Sequence, residues 1–309
     1  MNPVRSAHVR VPCSTSNLGP GFDTVGLALT RYLSVRFTPG HPDDGLELVR
    51  GGTLASLAGP PDEDLLLQAF LARIGAAGVE EPAGTLTVTS EIPVARGLGS
   101  SAAALVAGWS VAGAALGLDS DPRGAFLHAC GIDGHGDNAA PCTFGGLRAV
   151  VRTTEGPRVV ALELSEDVGF AYAAPAAGIS TQAAREALPR TVEHATAVHG
   201  LGRLAALIQG LATADADLIR VGVRDELHVP HRLPLIPGAY NAIGAGYDAG
   251  AWGVTISGAG SGLIAMCAPA DAPAVAAAMH DVFRVGSDDP ECVGFALEPD
   301  RVGVVQLPK

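Results

Sequence analysis

Lysine is missing from the interior of this 309-residue chain, whose only lysine is the last residue, Lys309. No Gly-x-x-x-x-Gly-Lys-Ser/Thr run occurs, so a Walker-A nucleotide loop and a lysine Schiff base are both excluded. A bound phosphate would have to be met by backbone N–H groups, arginine, hydroxyls and a metal ion. Cysteine is sparse: Cys13, Cys130, Cys142, Cys267 and Cys292 are odd in number, scattered and free of Cys-x-x-Cys spacing. That pattern suits buried thiols in a reducing cytoplasm and argues against a disulfide or zinc framework. Basic clusters are also absent, and the formal net charge is −12 with a pI near 5.1. Nucleic acid and anionic membranes are therefore not expected partners, and the expected ligand is small. The first ten residues lack an apolar signal core. The longest charge-free apolar stretch, residues 102–118, is broken by Gly108, Ser110, Gly113 and Gly117 and falls short of a membrane span. It reads as a buried helix packed closely through small residues.

The hydrophobic content of 48% is ample for a core, and the length fits one large or two ordinary domains. The most informative stretch is residues 93–103, Pro-Val-Ala-Arg-Gly-Leu-Gly-Ser-Ser-Ala-Ala. It follows an alternating, β-branched run at 85–92, which predicts a strand, and leads into an alanine-rich helix from Ser100. Gly97 and Gly99 allow a tight turn and close approach to a ligand, and the unpaired N–H groups of the first helical turn favour an anion. Gly97-Leu98-Gly99-Ser100-Ser101-Ala102 also fits a loose dinucleotide pattern, with Asp119 at about the distance of a ribose-binding acid. The four residues between strand and glycines, and the place of Asp119 before a helix, weaken that alternative. Taken alone, the loop equally suits a ligand-free helix start.

Strands are expected at 8–12, 32–38, 46–49, 85–92, 147–152, 158–164, 169–174, 253–257, 263–268, 293–297 and 302–307. Helices are expected from Asp62, from Ser100, after the Asp121-Pro122 cap, from Ser180, over 192–211, 215–227, 240–249 and 272–282. The mixture lacks strict βαβ alternation, so the fold class is α+β.

Four further segments carry chemistry. Residues 12–23 bring hydroxyls, Asn17 and Asp23 around three turn residues, although Asx and Ser/Thr turns alone would explain such a loop. Residues 133–141, Asp-Gly-His-Gly-Asp-Asn-Ala-Ala-Pro, hold Asp133, suited to Mg²⁺, together with His135, Asp137 and Asn138. Thr181 and Arg185 share a helix face, and Arg232 lies in a proline-broken loop. The two guanidiniums suit a substrate carboxylate. Residues 257–262, Ser-Gly-Ala-Gly-Ser-Gly, read either as a tight hairpin or as a second glycine loop near a phosphate.

In this order and spacing the five segments resemble the GHMP kinase superfamily and, within it, the homoserine kinase family, over nearly the whole chain. The resemblance implies two domains. They are an N-terminal ribosomal-protein S5 domain 2-like domain binding ATP (1–160) and a C-terminal ferredoxin-like GHMP kinase domain (161–309), with the active site between them. It implies ATP and Mg²⁺ as cofactors and phosphorylation of the L-homoserine hydroxyl to O-phospho-L-homoserine, in threonine biosynthesis. Carried over residue by residue, Pro93, Val94, Ala95, Arg96, Gly97, Leu98, Gly99, Ser100, Ser101, Ala102 and Ala103 would hold ATP with Gly258 and Gly260, and Ser101 and Asp133 the metal. Asn17, Asp23, His135, Asn138, Thr181, Arg185 and Arg232 would form the substrate site. Arg185 and Arg232 suit the carboxylate, Asp23 the ammonium, and Asn17 or Asn138 the hydroxyl.

Asn138 matches the family position where some superfamily members carry an aspartate base, so no dedicated general base is expected. Three features depart from the usual pattern: Asp133 for Glu, Ser261-Gly262 for Pro-Thr, and Thr196 with Gly200 for Asp and Asn. A superfamily kinase for another alcohol, such as mevalonate or a sugar, and a catalytically silent binding protein on the same scaffold are the alternatives. A cytoplasmic location is expected, and a homodimer is compatible with the sequence.

Overall fold

The computed structural model describes residues 4–57, 59–60, 63–286 and 291–308. Asp62, expected to open the first helix, and Lys309 lie outside them. The first half runs β1 (Ala7–Ser16), β2 (Val25–Pro39), β3 (Leu46–Gly52), α1 (Leu65–Ala76), β4 (Gly84–Ser90), α2 (Ser100–Ala115), α3 (Pro122–Asp133), α4 (Ala139–Phe144), β5 (Leu147–Thr153) and β6 (Gly156–Leu162). The second half runs β7 (Gly169–Ala174), α5 (Thr181–Glu186), α6 (His194–Thr213), α7 (Ala216–Gly222), α8 (Val229–Arg232), α9 (Ala239–Asp248), β8 (Gly253–Ile256), β9 (Leu263–Cys267), α10 (Ala272–Gly286), β10 (Val293–Leu297) and β11 (Val305–Gln306).

The first sheet has the order β11-β1-β2-β4-β3, with β5 bridging β2 and β6. All its pairs are antiparallel except β3 with β4. The second is an antiparallel sheet, β10-β7-β9-β8. The fold is therefore α+β, as the sequence implies. Local chemistry sets the helix starts. Asp64 accepts from the N–H groups of Leu66 and Leu67 at 2.9 and 3.2 Å to open α1. Asp121 accepts from Gly124 N–H at 2.8 Å before Pro122 in α3, as expected.

α2 lies in the core because its small residues allow it: a Cβ on Gly108 would overlap the Leu66 carbonyl of α1. One buried apolar cluster runs from α2 and β2 to Phe170 and Tyr172 of β7 and Met266 of β9. The two sheets thus share a core.

Two short helices stand where the sequence reads as loop. α4 forms within the glycine-rich segment 131–146 because Ala139, Ala140, Pro141, Cys142 and Thr143 are all buried, which tertiary packing rewards and a hydrophobic pattern six residues long cannot announce. α8 forms around Pro230 because a carboxylate four residues before it, Asp225, accepts from the N–H groups of His228 and Val229, both at 2.8 Å.

Candidate active site

The site starts at a break in register. β1 pairs regularly with β2 up to Pro12, and the register then shifts so that Cys13 faces Leu29. Beyond the shift, Ser14 and Ser16 lie two apart on one face of the strand and both reach Asn138. Ser14 donates to Asn138 Oδ1 at 3.0 Å, and Asn138 Nδ2 donates to Ser16 Oγ at 2.8 Å. That orients the carboxamide at the start of α4. Asn17 and Asp23 follow in left-handed conformations (φ +59° and +51°), and Asn17 Oδ1 accepts from Asp23 N–H at 2.8 Å.

The glycine-serine loop closes over this strand end. Gly97 and Gly99 have φ of +81° and +63°. A Cβ on Gly97 would overlap the Ser257 carbonyl, and one on Gly99 the Ser14 hydroxyl. Ala95 takes the same region (φ +58°) in spite of its Cβ, at a cost on the order of 1 kcal/mol, the kind of strain that gathers at ligand sites. The segment 257–262 is indeed the turn between paired strands β8 and β9, and it also buttresses the loop. Ser257 Oγ donates to Gly97 O at 2.6 Å and lies 2.9 Å from Thr15 Oγ1.

These parts surround a cavity of about 330 Å³ lined from both halves of the chain. Asn17, Asp23, Ala95, Gly97, Gly99, Ser100, Ser101, Ala102, Asp133, His135, Asn138, Thr181, Arg185, Arg232, Gly258 and Gly260 all reach it. Five residues of the loop do not. Leu98 and Ala103 are buried in the core, Pro93 is off the lining, and the Arg96 guanidinium turns away to the Glu291 carbonyl at 3.1 Å. Val94 lines a neighbouring, more apolar cavity of about 410 Å³ with Leu54, Leu57, Leu65 and Leu66. The two cavities share Ala95, Ser100, Ser101, Ile179 and Thr181. Sequence reasoning missed this second chamber; leucines held in a turn-rich stretch were its only signal. Asp119 lines a separate cavity of about 40 Å³ beside Trp109, away from the loop, so the dinucleotide pattern has no second half.

The electrostatics of the cavity are specific. Ser101 donates to Asp133 Oδ1 at 3.2 Å. Burial pushes the Asp133 carboxyl up toward its neutral form, opposed by the charge of His135 and the Ser101 bond. A hydroxyl and a carboxylate that gains from a nearby positive charge form a hard oxygen pair suited to Mg²⁺. Asp23, His135 and Asp137 also lie within 4.8 Å of one another. Those groups already have partners: His135 Nδ1 bonds Asp137 Oδ1, and Arg185 makes two bonds to Asp23 at 2.9 and 3.0 Å. The bond to Asp137 is the main cause that raises the His135 pKa, which favours the charged ring. Arg232 is the outlier. It is 2% exposed, its Nε donates to the Ala184 carbonyl at 3.0 Å, and its Nη1 has no hydrogen-bond partner among the described residues. Burial first, and then the like charge of Arg185, push its pKa down.

Residues 64–146 match the GHMP kinases N terminal domain and residues 205–285 the GHMP kinases C terminal domain. A homoserine kinase of Synechococcus sp. (strain CC9605) is 40% identical over 276 residues, covering 88% of this chain and 87% of that protein. One of Microchaete diplosiphon is 37% identical over 285 residues, 92% of each. The chain belongs to the homoserine kinase family of GHMP kinases. GHMP kinases use ATP as the phosphate donor. The two-domain α+β fold is that of the family: the crystal structure of a homoserine kinase from Cytophaga hutchinsonii superposes with a TM-score of 0.82 at 25% identity, covering 98% of this chain and 97% of that one. The L. major mevalonate kinase, solved with R-mevalonate, shares the fold at 14% identity and a TM-score of 0.68. Among the described residues no helix is long and apolar enough to cross a membrane.

Proposed function

We propose that this chain transfers the γ-phosphoryl group of ATP to the hydroxyl of L-homoserine, giving O-phospho-L-homoserine in threonine biosynthesis. The observation that carries the reading is Arg232, a buried guanidinium with an unpaired Nη1 on the wall of a cavity that also holds a glycine phosphate cradle. A buried cation without a carboxylate is costly, and a substrate carboxylate relieves that cost. The charge pattern selects the substrate further. Arg185 and Asp23 neutralise each other. A zwitterion can offer its carboxylate to the two arginines and its ammonium to Asp23, so that each charged end of the substrate meets an opposite charge. Mevalonate has no cation to offer Asp23, and a sugar leaves Arg232 bare.

In this reading the N–H groups at the start of α2 and the loop of Gly97 and Gly99 take the phosphates, with Gly258 and Gly260 behind them. The second chamber, with Leu54, Leu57 and Val94, takes the base. Ser101 and Asp133 hold Mg²⁺, which supplies charge neutralisation on the phosphates. The chain's own work is positioning. Asn138, oriented by Ser14 and Ser16, directs the hydroxyl, Asn17 fixes the Asp23 backbone, and Thr181 and Arg185 approach from α5. His135, whose pairing with Asp137 favours the charged ring, adds a positive donor. Phosphoryl transfer through a loose transition state asks for this alignment more than for a strong base. Residues 160 and 161, the division expected from the resemblance, fall inside β6, which stays paired with β5 through Leu162; we propose that the ATP-binding and second domains divide just beyond it, which limited proteolysis between β6 and β7 tests. A cytoplasmic enzyme and a homodimer complete the reading, the latter open to sedimentation.

The test is ADP release by the purified chain with Mg²⁺-ATP and single alcohols. L-Homoserine is expected to drive release, and R-mevalonate and galactose are not. Release with either of these and none with homoserine would overturn the assignment.

A further inference from the structure

Phe22 is off the cavity lining, beside the two arginines of the charged wall, yet it carries no charge and makes no hydrogen bond through its side chain. Its ring is half-buried between the strand end and the second half of the chain. The Arg232 guanidinium carbon lies over it at 5.0 Å from the ring centre and that of Arg185 at 5.9 Å. Both distances fall within the range of cation–π attraction. One aromatic ring therefore touches both cations that the substrate carboxylate would use. The two guanidiniums repel each other, which is part of why the Arg232 pKa is pushed down. A ring that attracts both offsets part of that repulsion.

The ring is itself held. His228 stacks on it with centroids 5.1 Å apart and planes at 27°. His228 is fully buried, and its Nε2 lies 2.9 Å from the Gly19 carbonyl, three residues before Phe22. The Gly19 backbone is left-handed (φ +50°), and a Cβ there would meet the Val223 carbonyl at 2.6 Å, so the loop has little room to shift. At its own backbone His228 is fixed by Asp225, which accepts from its N–H at 2.8 Å and opens α8. α8 ends in Arg232. Asp225, His228 and Arg232 thus form one short rigid piece that meets the loop of Asn17 and Asp23 through Phe22. Asp23, the next residue, pairs with Arg185.

We propose that Phe22, backed by His228, is a positioning residue that sets the spacing of Arg185 and Arg232 and so the discrimination for a substrate carboxylate. Phe22 does not touch the reacting atoms; it acts through the two arginines. The inference rests on the assignment of those arginines to the carboxylate of homoserine.

The test compares L-homoserine with L-homoserinol, which keeps the amine and the side-chain alcohol but has a second CH2OH in place of the carboxylate, in the wild type and in Phe22→Leu, Phe22→Tyr and His228→Gln. Phe22→Leu keeps apolar bulk and loses the aromatic face. It is expected to raise the KM for homoserine roughly tenfold, the scale of one cation–π contact, with kcat and the KM for ATP changed less than about twofold and homoserinol turnover unchanged. Phe22→Tyr keeps the ring face and restores most of the homoserine KM. His228→Gln keeps a donor for the Gly19 carbonyl but not the stacked ring, and gives a smaller rise of the same kind. If Phe22→Leu weakened homoserine and homoserinol equally, or raised the KM for ATP in parallel, its role would be structural support and the proposal would fall. It would fall equally if Phe22→Tyr were as impaired as Phe22→Leu. Failure of the underlying reading is seen separately, in the wild type alone: no discrimination between homoserine and homoserinol there refutes the arginine assignment itself.

Discussion

Replacing Arg232 by methionine separates function from stability. Two opposing effects on the fold can be weighed. The change removes the 3.0 Å bond from Nε to the Ala184 carbonyl, worth about 0.5–1.5 kcal/mol. It also removes a cation that is 2% exposed, has an unpaired Nη1 and is repelled by Arg185. Replacing buried charge by a well-packed apolar side chain is often neutral or stabilising by about 1–4 kcal/mol. The change also loses the cation–π contact with Phe22, so losses and gain are of similar size and the melting temperature is expected to stay nearly level. Function moves the other way. A hydrogen bond to a charged partner contributes about 1.5–3 kcal/mol, which corresponds to a fall in kcat/KM for homoserine of roughly 10- to 150-fold. The KM for ATP should hold, because Arg232 is not one of the groups that form the glycine cradle. Coupled ADP release at varied homoserine and varied ATP, together with thermal unfolding, reads all three quantities. A drop of several degrees with equal losses for both substrates would show that Arg232 serves the fold, and its orphaned Nη1 would then say nothing about the substrate.

Other outcomes follow from the same geometry. Asp133→Asn should sharply raise the Mg²⁺ concentration needed for half-maximal rate, and Ser101→Ala less so; unchanged metal dependence in both would remove them as ligands. Because burial raises the Asp133 pKa, protonation on acidification should begin above the ordinary carboxylate range, so the acid limb of kcat/KM should be relieved by added Mg²⁺; a limb indifferent to metal refutes this. Asn138→Asp keeps an acceptor for Ser14 but loses the donor to Ser16 and adds negative charge, so turnover should fall at least tenfold, and a strong increase would mean that a base is wanted there. His228 has its folded pKa lowered chiefly by burial. The unfolded chain therefore takes up the proton first, and stability should decline as pH falls from about 6.5 toward the lowered folded value, a decline that His228→Gln flattens in melts at pH 7 and pH 5.

What could be read from the sequence followed local rules. The loop of Gly97 and Gly99, the Asp121-Pro122 cap and strands such as β7 and β10 are signalled by residues adjacent in the chain, and their positions agree with the structure. What escaped depends on distant partners. α8 is capped by Asp225 around a proline, and α4 is helical because its short run is buried, so neither has a pattern of its own. Phe22 looks like an ordinary loop hydrophobe until His228, Arg185 and Arg232 arrive from more than a hundred and fifty residues away. The residues that line the cavity could be picked out by their motifs and the family resemblance, but the mutual pairing of Asp23 with Arg185 could not. Two groups assigned to opposite ends of a substrate gave no sign in the sequence that they would meet each other.

Phosphorus NMR of Mg²⁺-ATP and L-homoserine with the purified chain puts the transfer itself to the test. A phosphomonoester resonance is expected to grow in step with ADP and to coincide with authentic O-phospho-L-homoserine. ADP appearing with inorganic phosphate and no such ester, or no ADP with homoserine while another alcohol is phosphorylated, would contradict it.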